Sequence, residues 1–414
     1  MSAPTAADAD GILLELLSPI GRADPYPHYR RLHALGGVHR SAVVGKIITD
    51  YRVCDLILRD SRAVKAPDRE RPGRPDPADH GALALLGRTM LMLDPPDHTR
   101  LRRLVSKAFT PRTVAELRPA IEELLDQLLA PIAAQAADGA VIDLMDELAF
   151  PFPVGVIGRM IGVPAPDQPQ FQDLVRDLTR ALDLIVAEGE LARADAAAER
   201  VAAYFTDLVA ERRRHPADDL TSALIATREA DDRLSEPELL AMLTLLFLAG
   251  FETTTNLIGN GVLALLDEPA QTARLREDPG GVPVAVEELL RFDAPVQMLA
   301  RATIAPIELP DGGVIRADRD MLLLLGAANR DPRVFTDPDR LRLDRDEGPP
   351  ISFGGGIHYC LGAGLARLEA RLVFTALLDR FCAIEPAGAP ARREGGTVRG
   401  LLHLPLRLTP SRTG

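Results

Sequence analysis

The chain has no tryptophan and only three cysteines in 414 residues. Cys54, Cys360 and Cys382 lie far apart, and none forms a C-x-x-C pair, so a zinc ribbon or a thioredoxin-type redox pair is not expected. An odd, low count suits a reducing cytosol. Lysine is nearly missing: Lys46, Lys65 and Lys107 are the only ones, and arginine carries the remaining positive charge. Acidic groups still dominate, with a formal net charge of −12. Such a chain is not expected to bind nucleic acid or an anionic membrane. Long hydrophobic runs are lacking too. The longest mostly apolar stretch, Leu239 to Phe251, is shorter than the roughly 18 residues a membrane span needs. The opening MSAPTAADAD has neither the basic nor the apolar part of a signal peptide. No glycine-rich nucleotide fingerprint follows a strand, so no flavin or nicotinamide site is expected. What remains is a cytoplasmic protein with no membrane and no nucleic-acid partner.

Hydrophobic residues make up 46% of the chain, ample for a large core. Apolar spacing near 3.6 predicts helices over 114–134, 171–187, 191–214, 236–266, 283–292 and 361–380. Short β-like stretches fall at 37–49, 301–309, 313–325 and 398–408. Residues 66–81 form a loop rich in proline and charge. There is no internal repeat and no long linker. The expected fold class is mainly α with small β-sheets (α+β), as one unit over 1–414 with β-rich subregions toward each end.

The stretch FGGGIHYCLG (353–362) sets Cys360 among glycines. The apolar pattern after it places Cys360 at or just before a helix N-terminus, with Arg367, Glu369 and Arg371 on the polar side. Free N–H groups and the macrodipole favour a thiolate there. Gly354, Gly355 and Gly356 allow a tight loop, and Gly362 lets the helix approach something flat and bulky. A lone thiolate could serve as a nucleophile with His358 as base. Zinc needs more ligands than this stretch supplies. Haem iron needs one axial thiolate.

SEPELLAMLTLLFLAGFETTTNLIGNGVLALLDEP reads as one long helix, about 46 Å at 1.5 Å per residue. Ser235 and Glu238 form its capping box, and Pro269 lies beyond its end. Its first half is apolar nearly all round and therefore buried. GFETTTN then breaks the pattern with a glycine, a carboxylate and three β-branched threonines, which are unfavourable in mid-helix. A local rule broken in a buried element points to a functional site. VEELLRF places Glu288 and Arg291 at i, i+3, which alone reads as a surface ion pair. His98 and Arg102 share a face of a basic helix, which alone reads as a solvated surface.

Together these motifs resemble the cytochrome P450 family over almost the whole chain, and FGGGIHYCLG is similar to its haem-binding loop. The resemblance implies haem b (iron protoporphyrin IX) between the long helix and the cysteine loop. Cys360 would be the axial ligand of the iron, with Phe353 beside the sulfur and Gly354 and Gly362 lining the cofactor. His98, Arg102, Arg301 and His358 would hold the propionates. AGFETT matches the oxygen-binding motif: Ala249 and Gly250 would leave room for oxygen, and Glu252 and Thr253 would be the catalytic acid–alcohol pair. Glu288 and Arg291 would form the family's buried structural pair. The substrate pocket would draw on 66–92, 165–190, Leu246, Val296, Met298, Leu299, Leu401 and Leu402. These are mostly aliphatic, so the substrate would be a sizeable apolar organic molecule.

The implied activity is a monooxygenase that uses O2 to hydroxylate or epoxidise such a molecule in secondary metabolism. Electrons would come from a ferredoxin and its NAD(P)H-dependent reductase, docked near Lys107, Arg112 and Arg367. A peroxygenase, a coupling oxidase or a non-catalytic haem protein would keep Cys360. The peroxygenase and the haem-binding protein would have no use for Glu252 and Thr253. The chain departs from the family in three places. It has no tryptophan in the early strand GKIITDY, no glycine in the turn of 315–322, and Leu341 where phenylalanine is common.

Overall fold

The computed structural model describes residues 6–65, 75–184, 186–226 and 234–411. Most of the expected loop over 66–81 therefore lies outside the described residues. Two compact units are present, each assembled from three separated chain segments. The first comprises Met1–Arg69, Asn260–Cys360 and Pro390–Leu402, and the second Glu70–Gly259, Leu361–Ala389 and His403–Gly414.

The first unit is built on a five-stranded sheet. Its order is Val38–Ser41, Gly45–Ile48, Asp320–Leu324, Met298–Thr303 and Ala63–Val64. Lys46 pairs with Met321 in a parallel ladder, whereas Met298 faces Leu324 in an antiparallel one. Each long β-like stretch of the sequence turns out to be two short strands. The stretch 313–325 divides into Val314–Ile315 and Asp320–Leu324. In the turn between them Asp318 takes φ +56°, a left-handed conformation that its short polar side chain tolerates. That is how the turn manages without the usual glycine. Ile48, Ile57, Leu58, Leu323 and Ile351 pack into this unit's core together with Cys54. Burial pushes the Cys54 thiol well above the ordinary cysteine range, so it stays an inert apolar filler.

The second unit is mostly helical, with one three-stranded sheet of Val141–Asp143, Pro405–Pro410 and Phe381–Pro386. Helices form at Pro111–Ala137, Val282–Phe292 (in the first unit) and Ala363–Arg380, close to the expected bounds. The expected helix over 171–187 is shorter. It ends at Arg180, and a new helix starts at Glu188, where the Ala187 N–H donates to the Glu190 carboxylate at 3.3 Å. The long helix spans Glu236–Asp267. The Ser235 N–H donates to Glu238 Oε2 at 2.8 Å, which closes the capping box. This helix is long and apolar enough to cross a membrane, but 83% of its most apolar stretch is buried inside the protein. It is a core element. Phe247 and Phe251 on it join Phe150, Phe171 and Phe205 in a set of edge-to-face and tilted aromatic contacts.

One expectation for the last helix fails. Glu369 is not on its polar side but 1% exposed, and its Oε2 has no hydrogen-bond partner among the described residues. Ala370, Val373, Phe374, Leu377 and Leu378 form the buried face, and Glu369, four residues before Val373, falls on it despite its charge.

Candidate active site

The cysteine loop belongs to the first unit. The Cys360 N–H donates to the Phe353 carbonyl at 2.9 Å and closes the loop. The loop turns through Gly356–His358, a single 3₁₀ turn. Gly354 and Gly356 both have positive φ, +69° and +62°. Gly356 is doubly constrained, because a Cβ there would run into the Leu58 carbonyl and the Arg59 backbone. The helix Tyr51–Arg59 is thus the platform on which the loop rests. Leu58 was not singled out from the sequence, since nothing local marks a contact with a glycine this far along the chain. Cys360 is an exposed thiol, two positions before Gly362 at the N-cap of Ala363–Arg380.

Behind the loop lies a buried polar network. Glu288 and Arg291 form a two-pronged ion pair, with Nε to Oε2 at 2.6 Å and Nη2 to Oε1 at 2.9 Å. Both are almost fully buried. Arg345 is a third member, donating to Glu288 Oε2 at 3.0 Å. Arg291 also donates to the carbonyls of Asn329 and Pro338, both at 2.9 Å. Asn329 then reaches the cysteine loop itself. Its Oδ1 accepts from the Ile351 N–H at 2.9 Å, and its Nδ2 donates to Ser352 Oγ at 2.8 Å. Ser352 donates in turn to the Leu290 carbonyl at 2.7 Å. The network runs from the helix Val282–Phe292 to the residue before Phe353. Arg345 and Asn329 were not singled out from the sequence, because their partners are set by tertiary structure.

In the second unit, the middle of the long helix carries the other chemistry. Glu252 is 5% exposed and accepts from Asn256 Nδ2 at 3.4 Å. The Thr253 hydroxyl donates back to the Ala249 carbonyl at 3.3 Å, the local bond that makes threonine awkward in mid-helix. Asn256 is a further polar residue here, one turn after Glu252. Gly250 has a neighbour that the sequence did not indicate. A Cβ there would lie 2.5 Å from Ile157, so this glycine lets the helix Pro151–Ile161 pack closely.

The expected cations divide between the units. His98 and Arg102 lie one turn apart on the helix Asp97–Ser106. Burial, followed by the neighbouring Arg102 charge, holds His98 below the usual imidazole range. In the first unit, Arg301 is 2% exposed on the strand Met298–Thr303 and donates to the Ala300 carbonyl at 2.9 Å. His358 lies in the 3₁₀ turn of the cysteine loop. Val296 forms an isolated bridge with Val398, which brings Val296, Met298 and Leu299 beside the segment leading to Leu401 and Leu402. Leu246 is buried in the core of the second unit.

The residues present fit haem b. The Cys360 thiol is exposed, and the loop bearing it is held by backbone and side-chain bonds. A Cβ built at Gly362 meets nothing within 4 Å. The remaining donors are cations and imidazoles, the chemistry that pairs with two carboxylates.

Comparison with known proteins agrees. The "Cytochrome P450" family model matches residues 61–280 and 282–408. The chain is 40% identical over 394 residues to the cytochrome P450 monooxygenase PikC of Streptomyces venezuelae, covering 93% of this chain and 91% of that one. It is 40% identical over 406 residues to the vitamin D(3) 25-hydroxylase of Pseudonocardia autotrophica, covering 94% of each. The crystal structure of P450BioI in complex with hexadec-9Z-enoic acid ligated acyl carrier protein superposes with a TM-score of 0.85. That match has 35% identity and covers 95% of this chain and all of the other. With its cysteine loop, its acid–alcohol helix and these relatives, the chain belongs to the cytochrome P450 family, an enzyme family whose cofactor is haem b.

Proposed function

We propose that this enzyme inserts one oxygen atom from O2 into a sizeable apolar organic molecule of secondary metabolism, with Cys360 as the iron ligand. The overall change is substrate plus O2, two electrons and two protons to hydroxylated (or epoxidised) product plus water. When bound, haem with a thiolate ligand supplies the oxygen chemistry, the thiolate donating electron density that favours O–O cleavage. His98, Arg102, Arg301 and His358 would hold its propionates.

The observation that carries this reading is the Glu252–Thr253 pair. A buried carboxylate and a hydroxyl sit together in a helix that is otherwise a core element, at a cost in helix propensity. Such a pair is of use where protons must reach a dry site. Glu252 takes up and passes the proton, Asn256 orients its carboxylate, and the Thr253 hydroxyl positions the acceptor. The aliphatic side chains of Leu246, Val296, Met298, Leu299, Leu401 and Leu402 favour an apolar substrate and exclude water. Among the relatives, the vitamin D(3) 25-hydroxylase and P450BioI in complex with hexadec-9Z-enoic acid ligated acyl carrier protein support a bulky apolar substrate.

The electron donor in this reading is a ferredoxin with its NAD(P)H-dependent reductase. Lys107, Arg112 and Arg367 offer it positive charge. Arg112 is exposed, though it also pairs with Glu116 at 2.9 Å. The reaction runs in the cytoplasm, where reducing conditions keep Cys54, Cys360 and Cys382 as thiols.

The test is a carbon monoxide difference spectrum of the reduced, haem-loaded protein beside Cys360→Ser. A strongly red-shifted Soret band in wild type that vanishes in the variant is expected. Absence of that band in haem-loaded wild type would overturn the assignment of Cys360.

A further inference from the structure

The helix Gly81–Gly87, sequence GALALLG, is seven residues long and begins and ends in glycine. On its own such a segment does not hold a helix in water. It has no cap of its own either, because the His80 side chain makes no capping bond. The missing acceptor comes from another element. Asp195, on the helix Glu188–Arg214, accepts from the Ala82 N–H with Oδ1 at 2.9 Å. Its other oxygen, Oδ2, lies 2.9 Å from His80 Nδ1. One carboxylate therefore takes a first-turn N–H of the short helix and pairs with the residue at its N-cap.

The apolar side of that helix has a clear destination. Ala82, Leu85 and Leu86 are buried in the same cluster as Met90, Ala194, Ala198 and Leu246. The position of Asp195 on its own helix is likewise anchored: five residues earlier, Glu190 pairs with Arg180 at 2.6 Å. Polar bonds thus lie on the outer side of the short helix and the apolar cluster on its inner side.

We propose that Asp195 is a positioning residue for substrate recognition. By capping Gly81–Gly87 from the side, it sets Leu85 and Leu86 as a wall of the apolar site that includes Leu246. This rests on the monooxygenase reading of that site. Asp195 touches no reacting atom; it acts through the short helix alone.

The experiment compares haem-loaded wild type, Asp195→Ala and Asp195→Asn. Two iron-binding probes are titrated by their Soret shift: 4-phenylimidazole, which must fit against the wall, and imidazole, which is too small to feel it. Hydrogen exchange over 81–87 is followed in parallel. Asp195→Ala is expected to weaken 4-phenylimidazole binding about fivefold, the equivalent of a lost cap of about 1 kcal/mol. Imidazole binding should not change, and exchange over 81–87 should rise. Asp195→Asn keeps an oxygen for the Ala82 N–H and should stay within about twofold of wild type. Equal weakening of both probes in Asp195→Ala would overturn the proposal, as a general loosening. Faster exchange with unchanged 4-phenylimidazole binding would overturn it too, since the helix would then wall no site. Failure of the iron assignment shows separately, as loss of the carbon monoxide band in wild type.

Discussion

Asn329 grips Ser352: its Nδ2 donates to the serine hydroxyl at 2.8 Å, one residue before Phe353 and eight before Cys360. Both residues are buried, and the Arg291 guanidinium fixes the Asn329 backbone from the other side. The cysteine loop is thus held by a chain of bonds that starts at Glu288. Asn329→Ala removes partners from both the Ile351 N–H and Ser352. It is expected to cost about 1–3 kcal/mol, the price of buried polar groups left unmatched. The carbon monoxide band of the reduced protein should also become unstable on mild heating, while Asn329→Asp, which keeps an acceptor for Ile351, loses less. Identical thermal loss of that band in wild type and Asn329→Ala would show that the loop is held by something else.

Glu288, Arg291 and Arg345 give a sharper expectation. Removing one member strands buried charge on the others. Arg291→Ala should destabilise by about 3–5 kcal/mol, measured by urea unfolding. Arg291→Lys should recover little of this, because a lysine ammonium cannot donate along two prongs to Glu288 while also reaching the carbonyls of Asn329 and Pro338. A lysine variant as stable as wild type would mean that charge alone matters at this position.

How much of this was visible in the sequence varies with the range of the interaction. The long helix, its cap at Ser235 and Glu238, and the cysteine loop are local patterns, and they were legible. The β-like stretches were found but not divided, because the breaks depend on single residues such as Asp318 that adopt a rare backbone conformation. Glu288 and Arg291 were legible as a pair, yet Asn329, Arg345 and Leu58 were not, since their roles come from tertiary contacts with residues well outside their own local segments. Gly250 shows the same limit. Its neighbour Ile157 cannot be read from the motif, so the close packing of the helix Pro151–Ile161 against this glycine was missed. Glu369 failed for another reason: a charged residue on an amphipathic helix is nearly always outside, and here it is not.

That buried Glu369 makes a prediction about pH. Burial alone raises its carboxyl well above the ordinary carboxylate range. In the folded protein it stays protonated; in the unfolded chain it ionises in the ordinary range. The unfolded state therefore binds fewer protons above that range, and stability falls as pH rises, by up to about 1.4 kcal/mol per pH unit until the folded-state group also ionises. Glu369→Gln removes the ionisable group. Its stability relative to wild type should improve between pH 5 and pH 8, as read from denaturant midpoints. A difference between the two proteins that does not change with pH would exclude a protonated Glu369.

The acid–alcohol pair is tested by splitting its two members. Thr253→Ala removes the hydroxyl that positions the proton acceptor but leaves the carboxylate of Glu252. Electrons should still be consumed, yet they should leave as peroxide rather than in product, so that product formed per NAD(P)H falls by about tenfold or more. Glu252→Gln keeps the hydroxyl and the hydrogen bond to Asn256 but cannot carry a proton. Here the total rate should fall, by about a hundredfold if Glu252 is the main donor, with the yield per electron less affected. The rate should also show a larger solvent isotope effect, since proton delivery becomes limiting. The two variants thus separate positioning from delivery. If both lose rate and yield in the same proportion, the residues act as one unit and the division of labour drawn from their geometry does not hold.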